Sequence, residues 1–295
     1  LENIGGFVKI QSKNGSKNRK LRMSRLMKNE GCPKSNYMNM DIIIYTGQIW
    51  KKSPSMVYSP ELLGLLESKD ALVILKNGEP PFHVVIGVPH QAAVGVTTIA
   101  ENWTNPRGRK GRDSDENAAS FALAVFSELC DQKIPCKLVI AAHSTDHDPN
   151  KDANSPYCKE VFSEKTYLLL ECHGAGEQRK QDIEISAGTN SLGKALDFGR
   201  QLATKLNYQY SLSAQIEAGS NKAKSISKDK EIDTTLVLPA LETTSLIQAE
   251  KREIAALHLE AKPRFRISEN DDSISTDGLI LGNAIAEVIF VKENL

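Results

Sequence analysis

Short apolar runs alternate along the chain with longer stretches in which apolar residues return at helical spacing. The runs are rich in leucine or β-branched residues and end at Gly or Pro, a pattern typical of buried strands. They predict strands over residues 41–45, 71–76, 82–88, 137–142, 167–172, 234–238 and 256–261. The helical spacing predicts helices over Asp115–Asp131, Ser191–Leu206 and Gly278–Lys292. This alternation predicts an α/β fold, three layers α/β/α with a central mixed, largely parallel sheet.

Two polar stretches interrupt this pattern. Residues 143–160 and 219–233 consist mainly of Asp, Asn, Lys, Ser and Pro, so they predict long irregular loops. The first follows the predicted strand 137–142 directly and would form one wall of an active site. Neither an internal repeat nor a long linker follows residue 41, so residues 41–295 predict a single domain.

Charge is distributed unevenly, although the net charge of the chain is zero. Residues 1–37 contain nine Lys or Arg against Glu2 and Glu30, about +7, and the remainder is about −7. We predict a disordered basic extension over residues 1–40. Met38 and Met40 precede the first strand, so an extension that is not native coding is an open alternative. Nucleic-acid binding through this segment is an alternative function, but it has no interleaved aromatic residues, and nucleic acid is not the expected partner.

Composition restricts the environment of the protein. No apolar run approaches the ~20 residues that cross a bilayer, so no membrane association is expected. The five cysteines are odd in number and form no CxxC pair, which predicts a reduced, cytoplasmic protein rather than a disulfide framework. Cys172 and His173 are adjacent on a predicted strand and should point to opposite faces, which disfavours a Cys–His nucleophile.

Two histidines follow apolar runs that predict strands, His90 after residues 82–88 and His173 after residues 167–170. Ligands of open α/β sheets bind beyond the carboxyl ends of the strands, so both imidazoles could converge on one cleft. A catalytic zinc ion takes about three His, Asp or Glu ligands. Asp115 or Glu116, at the start of a predicted helix, would supply the carboxylate. Either residue could instead cap that helix.

A general base for such a site is predicted at Glu260. In the strand 256–261, alternation places His258 and Glu260 on one face and two leucines on the other. A buried carboxylate there needs a partner, and a salt bridge to Arg264 or Arg266 is the alternative to a catalytic role. Arg112 and Arg179 lie near the proposed ligands in sequence. Since arginine binds carboxylates in a bidentate manner, either could hold an acidic substrate.

Four motifs occur in an order that resembles the N-formylglutamate amidohydrolase family. They are Pro89-His90, Asp148-Pro149-Asn150-Lys151, Glu171-Cys172-His173-Gly174 followed by residues 182–189, and residues 256–260. The family is similar in fold to zinc carboxypeptidases, with a mixed sheet between helical layers. The resemblance implies that His90, Asp115 or Glu116, and His173 bind one zinc ion per chain. It also implies that Glu260 is the base and that an arginine holds a substrate carboxylate.

The chain departs from the family pattern where substrate would be recognised. Lys151 replaces the usual arginine after Asn150, His258 stands where glutamine is common, and Glu171 replaces aspartate. We therefore predict Arg112, Asn150, Lys151 and His258 as substrate-binding residues, and Arg179 as a catalytic residue that stabilises an oxyanion or grips a carboxylate.

The predicted function is that of a zinc-dependent amidohydrolase acting through a metal-activated water. Its substrate would be a small N-acyl amino acid or a peptide-like molecule that carries a carboxylate. A non-catalytic ligand-binding relative of the same fold is the second alternative, beside nucleic-acid binding.

Overall fold

The computed structural model describes residues 41–46, 50–51, 57–58, 60–67, 71–96, 98–104, 110–142, 148–187, 193–217, 244–268 and 273–293. The strands are β1 (Asp41–Thr46), β2 (Trp50–Lys51), β3 (Val57–Tyr58), β4 (Ala71–Asn77), β5 (Phe82–Ala92), β6 (Thr98–Thr104), β7 (Lys110–Asp113), β8 (Asp115–Glu116), β9 (Cys136–Ala142), β10 (Thr166–Gly174), β11 (Ile183–Ser186), β12 (Ala214–Glu217) and β13 (Ala255–Ala261). The α-helices are α1 (Pro60–Leu66), α2 (Ala119–Asp131), α3 (Pro156–Val161), α4 (Gly193–Gln209), α5 (Thr244–Glu250) and α6 (Thr276–Glu293). A 3₁₀ helix spans Pro263–Phe265.

Nine strands form one mixed sheet in the order β1-β4-β9-β5-β10-β13-β11-β12, and β8 pairs with β5 outside this path. The pairs β4–β9 and β11–β13 are antiparallel, and the other pairs of this sheet are parallel. From β5 the chain first crosses to β9 on one side, and from β9 it crosses back to β10 on the other side. The chain thus leaves the carboxyl end of β5 toward β9 and the carboxyl end of β10 toward β11, in opposite directions along the sheet. The position between β5 and β10 is therefore a topological switch point, where open sheets form their ligand crevice.

Each face of the sheet carries its own apolar layer. One layer packs α1, α2, α4 and α6 against alternate residues of the strands, and the other packs α3 and α5 against the remaining ones. Helix α2 connects β5 to β9, and α3 lies in the connection from β9 to β10, which runs in the opposite direction along the sheet. Because both connections between parallel strands are right-handed, the two helices lie on opposite faces. The predicted α/β class with a mixed, largely parallel sheet between helical layers is confirmed. None of the helices in the described ranges combines the length and apolar character that a bilayer crossing would need.

Six predicted strands fall in described ranges, and all six are strands of the large sheet. The helices predicted over 191–206 and 278–292 correspond to α4 and α6. The extension predicted over residues 1–40, the loop 219–233 and the strand 234–238 lie outside the described residues.

Two local predictions were wrong. The helix expected to begin at Asp115 begins at Ala119, because the backbone at 115–116 pairs with the end of β5 instead. The loop predicted over 143–160 contains α3, which starts with the Ser155 side chain accepting a hydrogen bond from the Cys158 amide. Residues 110–113, which include Arg112, form β7 and pair with β6.

Candidate active site

Three neighbouring parallel strands, β5, β10 and β13, end side by side and carry the predicted site. Across β10 and β13, Glu171 stands beside His258 and His173 stands beside Glu260. Because side chains alternate along a strand, these four residues share one face of the sheet. On the opposite face, Cys172 packs into the apolar layer that includes α2, as the strand alternation predicted.

His90, Asp115 and His173 converge near the carboxyl ends of β5 and β10. The Oδ2 atom of Asp115 lies 2.8 Å from Nδ1 of His173 and 3.2 Å from Nδ1 of His90. One potential ligand atom from each of the three residues lies within 4.8 Å of the others. Asp115 reaches this position because β8 pairs in parallel with the end of β5, opposite Gln91.

Asp115 does not cap helix α2. The N-cap position is Ala118, and no side chain makes a capping hydrogen bond there. The Oε1 atom of Gln91 instead accepts a hydrogen bond from the amide of Ala119 at 2.8 Å. The carboxylate of Asp115 is thereby left facing the two imidazoles, and the capping alternative for this residue is wrong.

The remaining ring nitrogen of each histidine also faces a polar partner. Nε2 of His90 lies 2.7 Å from Oδ1 of Asp148, whose other oxygen accepts a hydrogen bond from Lys151 at 2.8 Å. Nε2 of His173 lies 3.5 Å from Oε2 of Glu171. Metal-binding histidines are usually oriented by a carboxylate or carbonyl at the nitrogen that does not bind the metal. Both histidines have that arrangement, with Nδ1 turned toward Asp115.

Glu171 is the hub of a buried hydrogen-bond network. Its carboxylate is fully buried and accepts hydrogen bonds from the Tyr157 hydroxyl (3.0 Å), the Ser245 hydroxyl (2.8 Å) and the Asn150 amide (3.3 Å). Burial raises the pKa of this carboxyl, but hydrogen bonds and charges of His173 and His258 lower it below its ordinary value. The Tyr157 hydroxyl fits above Gly87, where any Cβ would collide with it. Glu171 is therefore held as a carboxylate inside the protein.

We expect Tyr157→Phe to lower the free energy of unfolding by about 1.5–3 kcal/mol, the usual range for a hydrogen bond to a charged group. The substitution leaves Oε1 of Glu171 buried without its donor at 3.0 Å. Tyr210→Phe is the matched control, since that hydroxyl donates to a partly exposed Glu287 and should cost less than half as much. Urea unfolding of both variants measures the difference, and equal losses would contradict the role of the buried network.

A second group, Glu171, His173 and His258, also has ligand atoms within 4.8 Å of one another. Here the two rings are stacked, with centroids 4.0 Å apart and planes inclined by 16°. A lone pair lies in the plane of its ring, so two nearly parallel rings point poorly at one ion. The rings of His90 and His173 are inclined by 77°, which lets their Nδ1 lone pairs meet. Ring geometry therefore favours the group that contains Asp115 as the metal site.

The charge balance also suits a cation. Five acidic side chains are buried at this end of the sheet: Asp115, Asp148, Glu171, Glu184 and Glu260. Among the described residues around them, Arg266 is a buried cation, while Lys151 and Arg179 are partly exposed. Burial would raise the pKa of Asp115 and lower that of His173, but their mutual attraction wins. It holds the pKa of Asp115 well below its usual range and raises the pKa of His173 to about 9.

Glu260 lies next to His173 and contacts His258, whose Nε2 is 3.2 Å from Oε1 of Glu260. Burial raises the pKa of Glu260, but the hydrogen bond and charge of His258 lower it below its ordinary value. Glu260 is therefore ionised at neutral pH. The predicted alternative of a salt bridge to arginine is wrong, because Arg264 pairs with Asp182 at 2.9 Å and Arg266 donates to backbone carbonyls.

Arg179 is connected to the site through an ion pair with Glu184. Its Nη1 atom is 3.3 Å from Oε2 of Glu184, and about a quarter of the Arg179 side chain is exposed. Glu184 is buried and stands directly opposite Glu260 in the antiparallel β11–β13 pair. The guanidinium of Arg179 thus pairs with the residue that stands opposite Glu260, and it remains partly exposed.

For the other predicted site residues, the structure gives a position but no contact that indicates a role in catalysis. Asn150 is fully buried against Glu171, and its Oδ1 atom has no hydrogen-bond partner among the described residues. Lys151 is more than a third exposed and pairs with Asp148. Glu116 is held through its backbone oxygen, which accepts a hydrogen bond from Arg266. Arg112 lies in β7, where the backbone alone is described. Substrate-binding and catalytic roles for these residues stay predictions.

Sequence reasoning missed the roles of Tyr157, Ser245 and Glu184, and it considered Arg266 only as an ion-pair partner of Glu260. Glu184 lies in the motif stretch 182–189, but no role was predicted for it, and its strand β11 has four residues, too few to establish a period. Tyr157 and Ser245 carry no local signal, because their contacts with Glu171 span 14 and 74 positions.

The sequence matches no protein-family model and no curated protein. Solved structures with a similar fold include the N-formylglutamate amidohydrolase from Ralstonia eutropha JMP134, at 9% identity and TM-score 0.44, covering 76% of this chain and 99% of that one. A metallo-carboxypeptidase from Burkholderia cenocepacia is 12% identical with TM-score 0.45, covering 81% of this chain and 70% of that one. An N-acetylmuramoyl-L-alanine amidase from Clostridium difficile 630 is 10% identical with TM-score 0.39, covering 73% and 98%. The family that the sequence motifs resemble and the carboxypeptidases with a fold similar to that family are therefore among the similar structures, and similarity of this degree assigns no activity to the chain.

Proposed function

We propose that this protein is a zinc-dependent amidohydrolase that cleaves an amide bond in a small N-acyl amino acid or peptide-like substrate. The observation that carries the proposal is the convergence of two imidazole Nδ1 atoms and one carboxylate oxygen at the switch point of the sheet. His90, Asp115 and His173 are a donor set that suits a catalytic zinc ion with one open position. An oxygen-only set would instead have suited magnesium or calcium.

When bound, a zinc ion would polarise a carbonyl and lower the pKa of a water molecule at this site. The residues that hold it are themselves fixed by partners. Asp148 orients His90, and Glu171 together with Asn150 lies against the far side of His173. This support keeps both Nδ1 atoms directed at the crevice.

Glu260 is the residue that would move the proton. Its carboxylate is ionised, adjacent to His173 and nine-tenths buried, so it can accept a proton from the attacking water. The same carboxyl would then donate that proton to the leaving amine. The hydrogen-bond contact with His258 holds Oε1 in one orientation during both transfers.

A substrate carboxylate would be recognised by cations at the edge of the site. Arg179 pairs with Glu184, which stands opposite Glu260, and Lys151 pairs with Asp148, which contacts His90. Both are partly exposed, so each can reach a substrate without first leaving the protein interior. Two partly exposed cations that pair with buried acids of the site support an acidic substrate, such as an N-acyl derivative of an acidic amino acid.

The experiment that tests this function measures release of free amine from the full chain supplied with zinc. The substrates are N-formyl and N-acetyl amino acids and short peptides, each offered as the carboxylate and as the matched carboxamide. We expect Arg179→Gln to lower kcat/KM by roughly 10- to 100-fold for the carboxylates, the loss expected for a hydrogen bond between charged groups. The same variant should leave the carboxamides nearly unchanged.

Arg200→Gln is the matched control, because Arg200 lies on the exposed face of α4 and pairs with Asp197. It should behave as the parent does on both substrate series. Zinc bound without turnover of any member of the panel would contradict the hydrolase and favour a ligand-binding relative. Equal losses of Arg179→Gln on both series would contradict its role in carboxylate recognition.

A further inference from the structure

We propose that Arg266 is a positioning residue that clamps together the ends of the three strands carrying the site. Arg266 follows β13 and the 3₁₀ helix and is 4% exposed. Among the described residues, its side chain donates to backbone oxygens close in sequence to the proposed ligands and base, and not to the ligand side chains themselves. The proposal rests on the hydrolase function above, and it adds a residue that sequence reasoning treated as no more than an ion-pair partner of Glu260.

The guanidinium donates hydrogen bonds to three carbonyl oxygens on three different strand ends. Nε donates to Ala261 at 2.9 Å, Nη2 donates to Ala175 at 3.1 Å, and Nη1 donates to Glu116. Ala261 is the last residue of β13, Glu116 is the last residue of β8, and Ala175 directly follows β10. One planar cation therefore fixes the relative positions of strands that are not all hydrogen-bonded to one another.

Each acceptor lies close in sequence to a side chain of the site. The carbonyl on β8 is one residue beyond Asp115, the one after β10 is two residues beyond His173, and the one on β13 is one residue beyond Glu260. A shift of any of these strand ends would move a ligand or the base. Catalytic groups lose effect with displacements of about 1 Å, so such a clamp has a direct functional consequence.

β8 is the strand end that depends most on Arg266. It has two residues, and its pairing with β5 covers two positions. Asn117 follows it with a φ of 50°, a left-handed conformation that asparagine tolerates. The Asn117 amide side chain donates to the backbone oxygen of Arg266 at 2.7 Å, while its backbone amide donates to Ala92 at 2.8 Å. Arg266 and Asn117 thus hold β8 from both sides.

Position 174 is shaped to admit the guanidinium. A Cβ on Gly174 would lie 2.7 Å from Cζ of Arg266, closer than real side chains approach. Gly174 separates His173 from Ala175, so the small residue lets the guanidinium reach the carbonyl just beyond the histidine. Glycine here is explained by the close approach of Arg266.

Lysine cannot replace this arrangement. A guanidinium presents five N–H donors in a fixed plane, whereas an ammonium is a compact point donor on a flexible stem. Three carbonyls that accept from Nε, Nη1 and Nη2 of one side chain require the guanidinium. Burial lowers the pKa of Arg266, and the negative charges of Asp115, Glu116 and Glu260 oppose that shift, so the cation is retained.

The test compares Arg266→Lys, Arg266→Gln and Gly174→Ala with the parent chain. Arg264→Gln is the matched control, because Arg264 lies in the same 3₁₀ helix but pairs with Asp182 and Asp277 and not with the three carbonyls that accept from Arg266. Two readouts are needed: affinity for zinc measured by competition with a chelator, and hydrogen exchange of backbone amides measured by mass spectrometry without metal.

We expect all three test variants to bind zinc roughly 10- to 100-fold more weakly, as is typical when a residue supporting metal ligands is lost. Exchange should rise in residues 115–118 and 174–176 and stay unchanged in β4. Arg264→Gln should match the parent in both readouts. Unchanged exchange at the strand ends, an equal rise throughout the sheet, or zinc affinity that stays at the parent's value would each overturn the clamp.

The two readouts separate this proposal from the proposed function. A parent protein that binds no zinc would contradict the hydrolase, while the exchange pattern of the variants would still decide whether Arg266 holds the strand ends. A parent that binds zinc, with variants that bind it equally well, would contradict the clamp alone.

Discussion

Glu260→Gln should lower kcat by about 10²- to 10⁴-fold, the usual contribution of a positioned general base, while the protein keeps its zinc. The amide cannot accept the proton of the attacking water, but it occupies the same volume and can still face His258. Steady-state kinetics on the best substrate of the panel, together with the metal content of the variant, measure both parts of this expectation.

Glu79→Gln is the control for this substitution, because Glu79 is exposed and lies at the opposite end of β5. It should leave kcat unchanged. A Glu260→Gln variant that retains zinc and turns over at the parent's rate would contradict the assignment of the base. A variant that loses zinc would instead place Glu260 among the ligands.

His173→Ala should weaken zinc binding by about 10²- to 10³-fold. Structural zinc sites gain about 10–16 kcal/mol from four ligands, so one ligand contributes roughly 2.5–4 kcal/mol. The loss should also abolish measurable turnover at limiting zinc. Competition with a chromophoric chelator gives the affinity, and thermal unfolding of the metal-free proteins shows whether the variant is folded.

His83→Ala is the matched control because His83 lies on β5 at the amino end of the strand, where its ring contacts Tyr167. Its zinc affinity should equal that of the parent. If His173→Ala and His83→Ala bind zinc equally well in folded proteins, the metal does not bind at the switch point.

Much of the fold could be predicted because its strands are continuous apolar runs. β4, β5, β9, β10 and β13 are buried on both faces over most of their length, and burial of that kind leaves an unambiguous pattern in sequence. β11 and β12 have four residues each, too few to establish a period. β8 is still shorter, and its pairing with β5 is a tertiary contact that no local pattern encodes.

The histidines of the site were predictable and their partners were not. His90 and His173 follow strand patterns directly, and sheet topology then brings them together. Asp115 was predicted as a ligand for an incorrect reason, since it is positioned by strand pairing and not by a helix start. The contact of Asn117 with Arg266 spans 149 positions, and that of Ser245 with Glu171 spans 74. Such contacts follow from the finished fold and leave no trace in spacing.

The measurement that tests the central claim most directly is the zinc content of the full chain after reconstitution and removal of excess metal. It is made by elemental analysis beside His90→Ala and His173→Ala. We predict one zinc ion per chain in the parent and a loss of that ion in both variants, with folding retained. No zinc in the parent, or one ion per chain in both variants, would contradict a metal site formed by His90, Asp115 and His173.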